Sequence, residues 1–163
     1  MVKKILDAIE KALKVISTVF MAVIVAILFY AVVMRYIFHQ PPGWSIELSR
    51  YMFLWMVMFS VIVVTRERSH IQITFILDHL PDRARFVWLN ILRILMIGFC
   101  VIMVHQGVAI YPIVSEASSP ALDISMGWLY LSVPVGGVLM GIYILEGIVV
   151  SVIDRFNVGP SNR

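Results

Sequence analysis

The sequence predicts an all-α membrane protein in which four transmembrane helices form a single domain, residues 1–163. Hydrophobic residues make up 61% of the chain and charged residues only 14%, whereas an ordinary soluble domain is about 45–50% apolar. The apolar residues also come in long blocks without Asp, Glu, Lys or Arg, and about 20 helical residues cross a bilayer core. These blocks are residues 15–34, 51–65, 94–115 and 124–145. Because the blocks show no polar stripe, a soluble helical bundle is excluded.

The four spans are expected at about residues 14–38, 44–65, 86–112 and 124–150. Before the first span, residues 3–14 form an amphipathic lead-in that either lies along the inner headgroups or extends the first helix. Lys3 and Lys4 ahead of an apolar run are typical of a secretion signal. The apolar run is too long for that, and no small-x-small cleavage pattern follows, so we predict a retained anchor.

The basic residues predict that both termini are cytoplasmic, because cytoplasmic loops carry an excess of Lys and Arg. With the N-terminus inside, only Arg35 and Arg50 fall outside. The basic residues then inside are Lys3, Lys4, Lys11, Lys14, Arg66, Arg68, Arg83, Arg85, Arg93, Arg155 and Arg163. This bias accounts for the formal net charge of +3, which therefore gives no support to nucleic-acid binding.

Two prolines and a glycine in residues 39–43 end the first helix, and Ser45 is predicted to cap the second. Glu47 and Arg50 lie one turn apart and are close enough to pair. Such a pair at the start of a membrane helix either has a function or lies at headgroup depth, where charge is tolerated. Bulky side chains recur beside the pair at spacings of three and four, which places them on one helix face. They are Trp44, Leu48, Tyr51, Trp55 and Phe59.

The connection between the second and third helices, residues 66–85, is rich in Ile, Leu and Phe, with polar residues interspersed. We expect it to form an amphipathic inner segment that lies on the inner leaflet or under a partner. Pro81 and Asp82 predict the start of the third helix. A helix from there to Tyr111 or Pro112 would be about 45 Å long, which exceeds the core of about 30 Å and requires tilt or protrusion.

In the fourth span, Gly137 and Gly141 form a small-xxx-small pair that is predicted to let another helix approach closely. The alternative is that glycine is simply common in membrane helices. Pro134 is expected to bend this helix. Arg93 and Glu146 fall at similar depth on the third and fourth spans, so we predict a buried structural ion pair; alternatively, each snorkels to the inner headgroups.

The sequence shows no nucleophile–base arrangement, metal-ligand spacing or phosphate loop, which predicts a protein that is not an enzyme and holds no metal or cofactor. Among the four histidines only His105 falls within a span. This distribution argues against a haem held between two histidines, since His105 has no partner histidine at its depth. A haem-binding membrane anchor subunit of a redox enzyme is nevertheless the alternative function, and a small autonomous exporter is a third. Matched broken helices and runs of intramembrane acids, typical of solute transporters, are lacking. Cys100 is the single cysteine, so no internal disulfide forms.

Three motifs in a fixed order carry a resemblance to a known family. The first is Trp-Ser-x-Glu-Leu-x-Arg-Tyr-x-Phe-x-Trp at residues 44–55. The second is the basic cluster from Arg66 into His70-Ile71, ahead of Leu80-Pro81. The third is Ser-Pro-Ala-Leu-x-Ile-Ser-x-x-x-Leu-Tyr-x-x-Val-Pro-x-Gly at residues 119–136. In this order and spacing the chain resembles the small membrane subunit (DctQ-like) of the tripartite ATP-independent periplasmic (TRAP) transporters.

The resemblance implies a non-catalytic subunit in the bacterial cytoplasmic (inner) membrane that braces the scaffold of a large, elevator-type membrane subunit. That large multi-span subunit would carry the substrate and sodium sites. A periplasmic substrate-binding protein would deliver an organic acid, of the C4-dicarboxylate or sialic acid class, for sodium-coupled symport. The implied subunit-interface or framework residues are Trp44, Glu47, Arg50, Tyr51 and Trp55.

Overall fold

The computed structural model describes residues 2–68 and 82–157. Within these ranges the chain forms five helices. They are α1 (Val2–Tyr36), α2 (Gly43–Arg68), α3 (Asp82–Ser115), the short α4 (Gly127–Tyr130) and α5 (Ser132–Asn157).

Four segments of these helices are long and apolar enough to cross a membrane. They are Leu6–Tyr36, Gly43–Arg66, Asn90–Ser115 and Gly127–Val149. The predicted all-α fold with four spans is therefore confirmed. The predicted amphipathic segment between the second and third spans lies largely in residues 69–81, outside the described residues, and the cytoplasmic position of both termini stays a prediction.

The first helix is longer than the expected span, because α1 continues without a break from Val2. The amphipathic lead-in thus extends the helix. Its C-terminal end is closed by bonds from the Ile37 N–H to the Val33 carbonyl (2.9 Å) and from the Gln40 N–H to the Met34 carbonyl (3.1 Å). His39 takes a positive φ of 56° in this turn, the left-handed conformation with which helices commonly end.

The prediction that Ser45 caps α2 is wrong, because α2 already begins at Gly43. Its side chain is buried in the first turn, where the hydroxyl donates to the Pro42 carbonyl at 2.7 Å. The third helix begins at Asp82, as expected, but passes through Pro112 to Ser115. The Ser115 hydroxyl donates to the Pro112 carbonyl (3.0 Å) and supplies a polar contact for the last turn.

The fourth span begins later than expected, because Ile124 and Ser125 belong to the preceding loop. Ser125 forms an isolated antiparallel bridge with Ser118. The turn between them is closed by a 2.9 Å bond from the Ser119 N–H to the Ile124 carbonyl, and Asp123 takes a positive φ of 52°.

The helix is interrupted at Leu131, between α4 and α5, three residues before Pro134, where a bend was predicted. Pro134 has no N–H to donate to the carbonyl of Tyr130, four residues earlier, so it weakens the helix in the turn where the interruption lies. A bond from the Leu131 N–H to the Gly127 carbonyl (2.9 Å) spans the junction, so α4 and α5 run almost continuously.

The helices pack in the order α1, α2, α5, α3, which places α2 and α5 at the centre of the domain. The buried cluster between them draws residues from all four spans. It contains Leu6, Leu13, Ile62, Val63, Cys100, Met140, Tyr143 and Ile144. Large apolar side chains on the outer faces of α1 and α3 are exposed, such as Phe29 and Ile94, as expected for surfaces that face lipid or another membrane protein.

Candidate functional site

Three side chains of α2 bind the backbone of the loop before α4 and of α4 itself, and we call this set the loop contact. Glu47, Tyr51 and Trp55 are spaced by four residues and so lie on one face of the helix. One carboxylate oxygen of Glu47 accepts hydrogen bonds from the backbone N–H groups of Ala121 (2.9 Å) and Leu122 (3.1 Å). The same oxygen accepts a hydrogen bond from the hydroxyl of Ser119.

The other two side chains continue the loop contact toward the bilayer interior. The Tyr51 hydroxyl lies within hydrogen-bond distance of the carbonyls of Ile124 (3.2 Å) and Ser125 (3.3 Å). The indole N–H of Trp55 donates to the carbonyl of Trp128 at 3.1 Å. Backbone N–H and carbonyl groups outside regular helices need other hydrogen-bond partners. The loop contact supplies such partners to the irregular backbone before the fourth span.

The remaining interface or framework candidates lie beside the loop contact. The Trp44 ring stacks on Tyr30 of α1, with centroids 6.2 Å apart and planes at 29°. Arg50 is exposed and lines a small cavity of about 50 Å³ with Glu47 and Tyr51. The carboxylate of Glu47 is thus turned to the loop, and Arg50 is available to a group outside the chain. Whether these residues contact another subunit stays a prediction.

A second polar site, which we call the arginine cluster, lies at the other end of α2. The guanidinium of Arg66 forms ion pairs with Asp7 and Glu10 of α1. Its Nε lies 3.5 Å from a carboxylate oxygen of Glu146 on α5. The Arg66 Cζ also lies 5.2 Å from the ring centroid of Tyr143, a cation–π distance.

Burial makes the arginine cluster significant for stability. The side chain of Arg66 is 14% exposed, and those of Glu10 and Glu146 are 18% and 20% exposed. Charges held this far from water are tolerated when they are paired, and the five donors of a guanidinium can serve several carboxylates at once. The Tyr143 hydroxyl adds a 3.0 Å bond to the Leu6 carbonyl. The arginine cluster therefore fastens α1, α2 and α5 together.

The two sites clamp opposite ends of the domain. Glu47 and Arg66 are separated along α2 by about 28 Å at 1.5 Å per residue, close to the bilayer core thickness of about 30 Å. Sequence reasoning identified Glu47, Tyr51 and Trp55 but treated Arg66 only as a basic residue of the inner loop. The sequence signal that could have indicated an ion-pair partner for Arg66 was the pair Asp7 and Glu10, which lie on one face of α1.

The predicted ion pair between Arg93 and Glu146 stays a prediction. The structure gives Glu146 a different partner, Arg66, because α5 packs directly against α2 as well as against α3. Arg93 lies on α3 and is half-buried.

The two glycines predicted to pack helices differ in their surroundings. A Cβ added at Gly137 would lie 3.0 Å from Val104 Cγ2 and 3.3 Å from the Cys100 carbonyl oxygen, so α3 and α5 approach closely there. A Cβ at Gly141 would meet only the Cys100 Cβ, at 3.9 Å. Gly141 therefore has space beside it on the surface of the α3–α5 pair.

The fold and the two sites define a class of protein: a multi-pass membrane protein whose polar side chains largely join its own helices. Among residues 2–68 and 82–157, no group of three or more His, Cys, Asp and Glu side chains could hold a metal ion. The loop contact and the arginine cluster use side chains of α2 to bind α1, α4, α5 and the loop before α4.

The chain belongs to the family described as "Tripartite ATP-independent periplasmic transporters, DctQ component", whose family model matches residues 24–153. It is 32% identical over 154 residues to the sialic acid TRAP transporter small permease protein SiaQ of Vibrio cholerae, covering 91% of this chain and 84% of that protein. It is 26% identical over 135 residues to a putative TRAP transporter small permease protein of Haemophilus influenzae, covering 83% and 82% of the two chains.

A third relative is much longer. The sialic acid TRAP transporter permease protein SiaT of Haemophilus influenzae is 29% identical over 127 residues, which cover 76% of this chain but only 20% of that protein.

These comparisons confirm the resemblance found in the motifs. The chain is a small permease subunit of a TRAP transporter and a multi-pass protein of the bacterial inner membrane. The family is a transporter component and not an enzyme family, and the comparisons give the haem-anchor alternative no support.

Proposed function

We propose that this subunit braces the scaffold of a large, elevator-type permease subunit during sodium-coupled uptake of an organic acid. The observation that carries the proposal is that α2 is fastened at both ends, by the loop contact to residues 119–128 and by the arginine cluster to α1 and α5. A brace must hold its shape while its partner moves. Bonds that fasten several helices at both bilayer boundaries provide that rigidity.

The long relative supports a large permease as the partner. The segment of SiaT that matches this chain forms a fifth of a longer permease protein. A small subunit that is a separate polypeptide must instead bind the large permease through its own membrane-embedded surface. The exposed apolar side chains on α3 and α5, such as Ile94 and Val138, offer that surface.

We propose that both termini face the cytoplasm, which would place the loop contact on the periplasmic side. The loop at residues 116–126 contains no Lys or Arg, whereas basic residues are concentrated at the opposite ends of the helices. This asymmetry follows the positive-inside rule. The loop would then form part of the docking surface for a periplasmic substrate-binding protein.

For the solute we propose an organic acid of the sialic acid or C4-dicarboxylate class. Two of the relatives are named for sialic acid, which favours sialic acid as the first solute to assay. The selective residues would lie in the large subunit and the binding protein. The small subunit would affect the transport rate and the assembly of the complex.

Reconstitution tests the proposal. Liposomes containing the co-encoded large permease and this chain are supplied with the binding protein, a labelled sialic acid or C4-dicarboxylate, and an inward sodium gradient. We expect sodium-dependent uptake when all components are present, and no uptake by this chain alone. Uptake by this chain alone would refute the bracing role, and so would full transport by the large permease without it. A Soret absorption band in the purified chain would instead support the haem-anchor alternative.

A further inference from the structure

An open apolar groove runs between α3 and α5 on the surface of the domain. Its volume is about 660 Å³. Gly141 and Val138 line it from α5, and Val104 and Val108 from α3; further lining residues include Ile97, Val101 and Leu145. Val138 is 49% exposed and Val108 60% exposed, so the groove opens to the outside of the molecule.

His105 lines this groove in the middle of a span. It lies about 15 Å along α3 from Ser115 and about 22 Å from Asn90, the two ends of the spanning segment, at 1.5 Å per residue. Its side chain is exposed, as is that of the neighbouring Gln106. Within the part of the chain that the structure describes, neither side chain has a hydrogen-bond partner.

The position of His105 indicates what fills the groove. An imidazole exposed to acyl chains at this depth would leave its polar nitrogens unsatisfied, which is costly in hydrocarbon. Lipid tails carry no donor or acceptor, whereas a neighbouring transmembrane helix can present a hydroxyl, amide or carboxylate. The groove therefore suits a helix with a polar side chain near the bilayer midplane better than it suits lipid.

We propose that the α3–α5 groove is the docking site for a transmembrane helix of the large permease subunit, and that His105 hydrogen-bonds to a polar side chain of that helix. This inference rests on the proposed function, since it takes the large permease as the partner. The long relative SiaT supports that choice, because its matching segment forms part of a larger permease chain. The space at Gly141 lets the docked helix approach α5 closely.

Matched glycine variants test the groove. Gly141→Leu fills it, although a Cβ at this position meets only ordinary contact within the chain. Gly98→Leu is the control, because a Cβ at Gly98 has nothing within 4 Å and Gly98 does not line the groove. We expect Gly141→Leu to reduce the amount of chain recovered with an affinity-tagged large permease by tenfold or more, on the order expected when close helix packing is blocked, and Gly98→Leu to leave recovery unchanged.

His105→Leu tests the hydrogen bond. Removing one interhelical hydrogen bond is expected to lower recovery about threefold. His105→Asn, which retains a donor and an acceptor, should restore part of the loss. Recovery that is equal for wild type, Gly141→Leu and His105→Leu would overturn the inference.

Cross-linking identifies the occupant directly. In a Cys100→Ala background, single cysteines are introduced at Val138 in the groove and at Val19 on α1, which are 49% and 51% exposed. Both are labelled with a photoactivatable benzophenone maleimide in the assembled complex. We expect a cross-link to the large permease from Val138→Cys and not from Val19→Cys. Cross-links from Val138→Cys to lipid alone, or to a second copy of this chain, would overturn the inference.

These outcomes also separate the inference from the proposed function. If the wild-type chain is recovered with the large permease but Val138→Cys does not cross-link to it, the inference fails and the function stands. If the wild-type chain is not recovered with the large permease, both fail.

Discussion

The Nε atom of Arg66 lies 3.5 Å from a carboxylate oxygen of Glu146, and this contact joins α2 to α5 at one end of the domain. The same guanidinium binds Asp7 and Glu10 of α1. Glu47, at the other end of α2, binds the backbone of the loop before α4. The central helix α2 is thus held at both of its ends.

Substituting Arg66→Leu is predicted to lower the free energy of unfolding by about 3 kcal/mol. Removing one partner of a buried ion pair typically costs about 3–5 kcal/mol. We expect the lower end, because Glu10 keeps its ion pair with Lys14 at 2.7 Å and Asp7 is exposed. Denaturant unfolding in detergent, followed by circular dichroism, measures the loss. Arg35→Leu is the control, because Arg35 is exposed at the end of α1; an equal loss in both variants would contradict the prediction.

A double-mutant cycle between Arg66→Gln and Glu146→Gln is predicted to give a coupling energy of about 1 kcal/mol, since residues in direct contact are not additive. Unfolding of the two single variants and the double variant provides the measurement. Additive losses would show that the 3.5 Å contact contributes nothing. The parallel cycle between Arg93→Gln and Glu146→Gln tests the ion pair predicted from the sequence, which should also be non-additive if those side chains pair.

Glu47→Ala is predicted to loosen the loop before α4, because the Ala121 and Leu122 N–H groups lose their acceptor. Hydrogen exchange at these amides should become faster on the order of tenfold, as expected when a charged acceptor is removed. Arg50→Ala is the matched control on the same helix. Arg50→Ala should leave this exchange unchanged but should weaken recovery of the large permease. Faster exchange in both variants, or unchanged recovery with Arg50→Ala, would refute separate roles for Glu47 in holding the loop and for Arg50 in binding the partner.

Trp55→Phe is predicted to lower the free energy of unfolding by about 1 kcal/mol. The substitution keeps an aromatic ring but removes the indole N–H that donates to the Trp128 carbonyl, and one hydrogen bond contributes about that amount. Trp88→Phe is the control, because Trp88 is 51% exposed. Thermal unfolding of both variants in the same detergent checks the difference, and equal melting temperatures would contradict it.

Gly107→Ala is predicted to destabilise the domain by about 1–3 kcal/mol through overpacking. An added Cβ would lie 2.7 Å from Pro134 Cδ, and the rigid proline ring has little freedom to move away. Gly98→Ala, with open space around the added methyl group, should be tolerated. The same unfolding assay compares them; full stability of Gly107→Ala would show that α3 and α5 can separate there without cost.

The sequence was sufficient for the parts of the fold that depend on local pattern. Tyr51 and Trp55 were placed on one face of the second span by their spacing, and Glu47 was singled out beside them through Arg50, one turn away. Their common target was not recognised, because residues 119–128 are distant in sequence and bind through backbone groups, which side-chain patterns do not mark. Pro134 was expected to bend the fourth span, and the helix is interrupted at Leu131, in the turn before this proline.

The sequence by itself determined that this protein has four membrane-spanning helices, because hydropathy is a local property and bilayer thickness sets the length of a span. The order of its three motifs also indicated a TRAP small subunit. Only the tertiary structure decided that Arg66 meets Asp7, Glu10 and Glu146. Depth estimated from the sequence paired Arg93 with Glu146 and put Arg66 in the inner loop, so depth alone could not identify Arg66 as a partner of Glu146. The selection comes from the order α1, α2, α5, α3 and from the rotation of each helix, which are set by packing between distant segments.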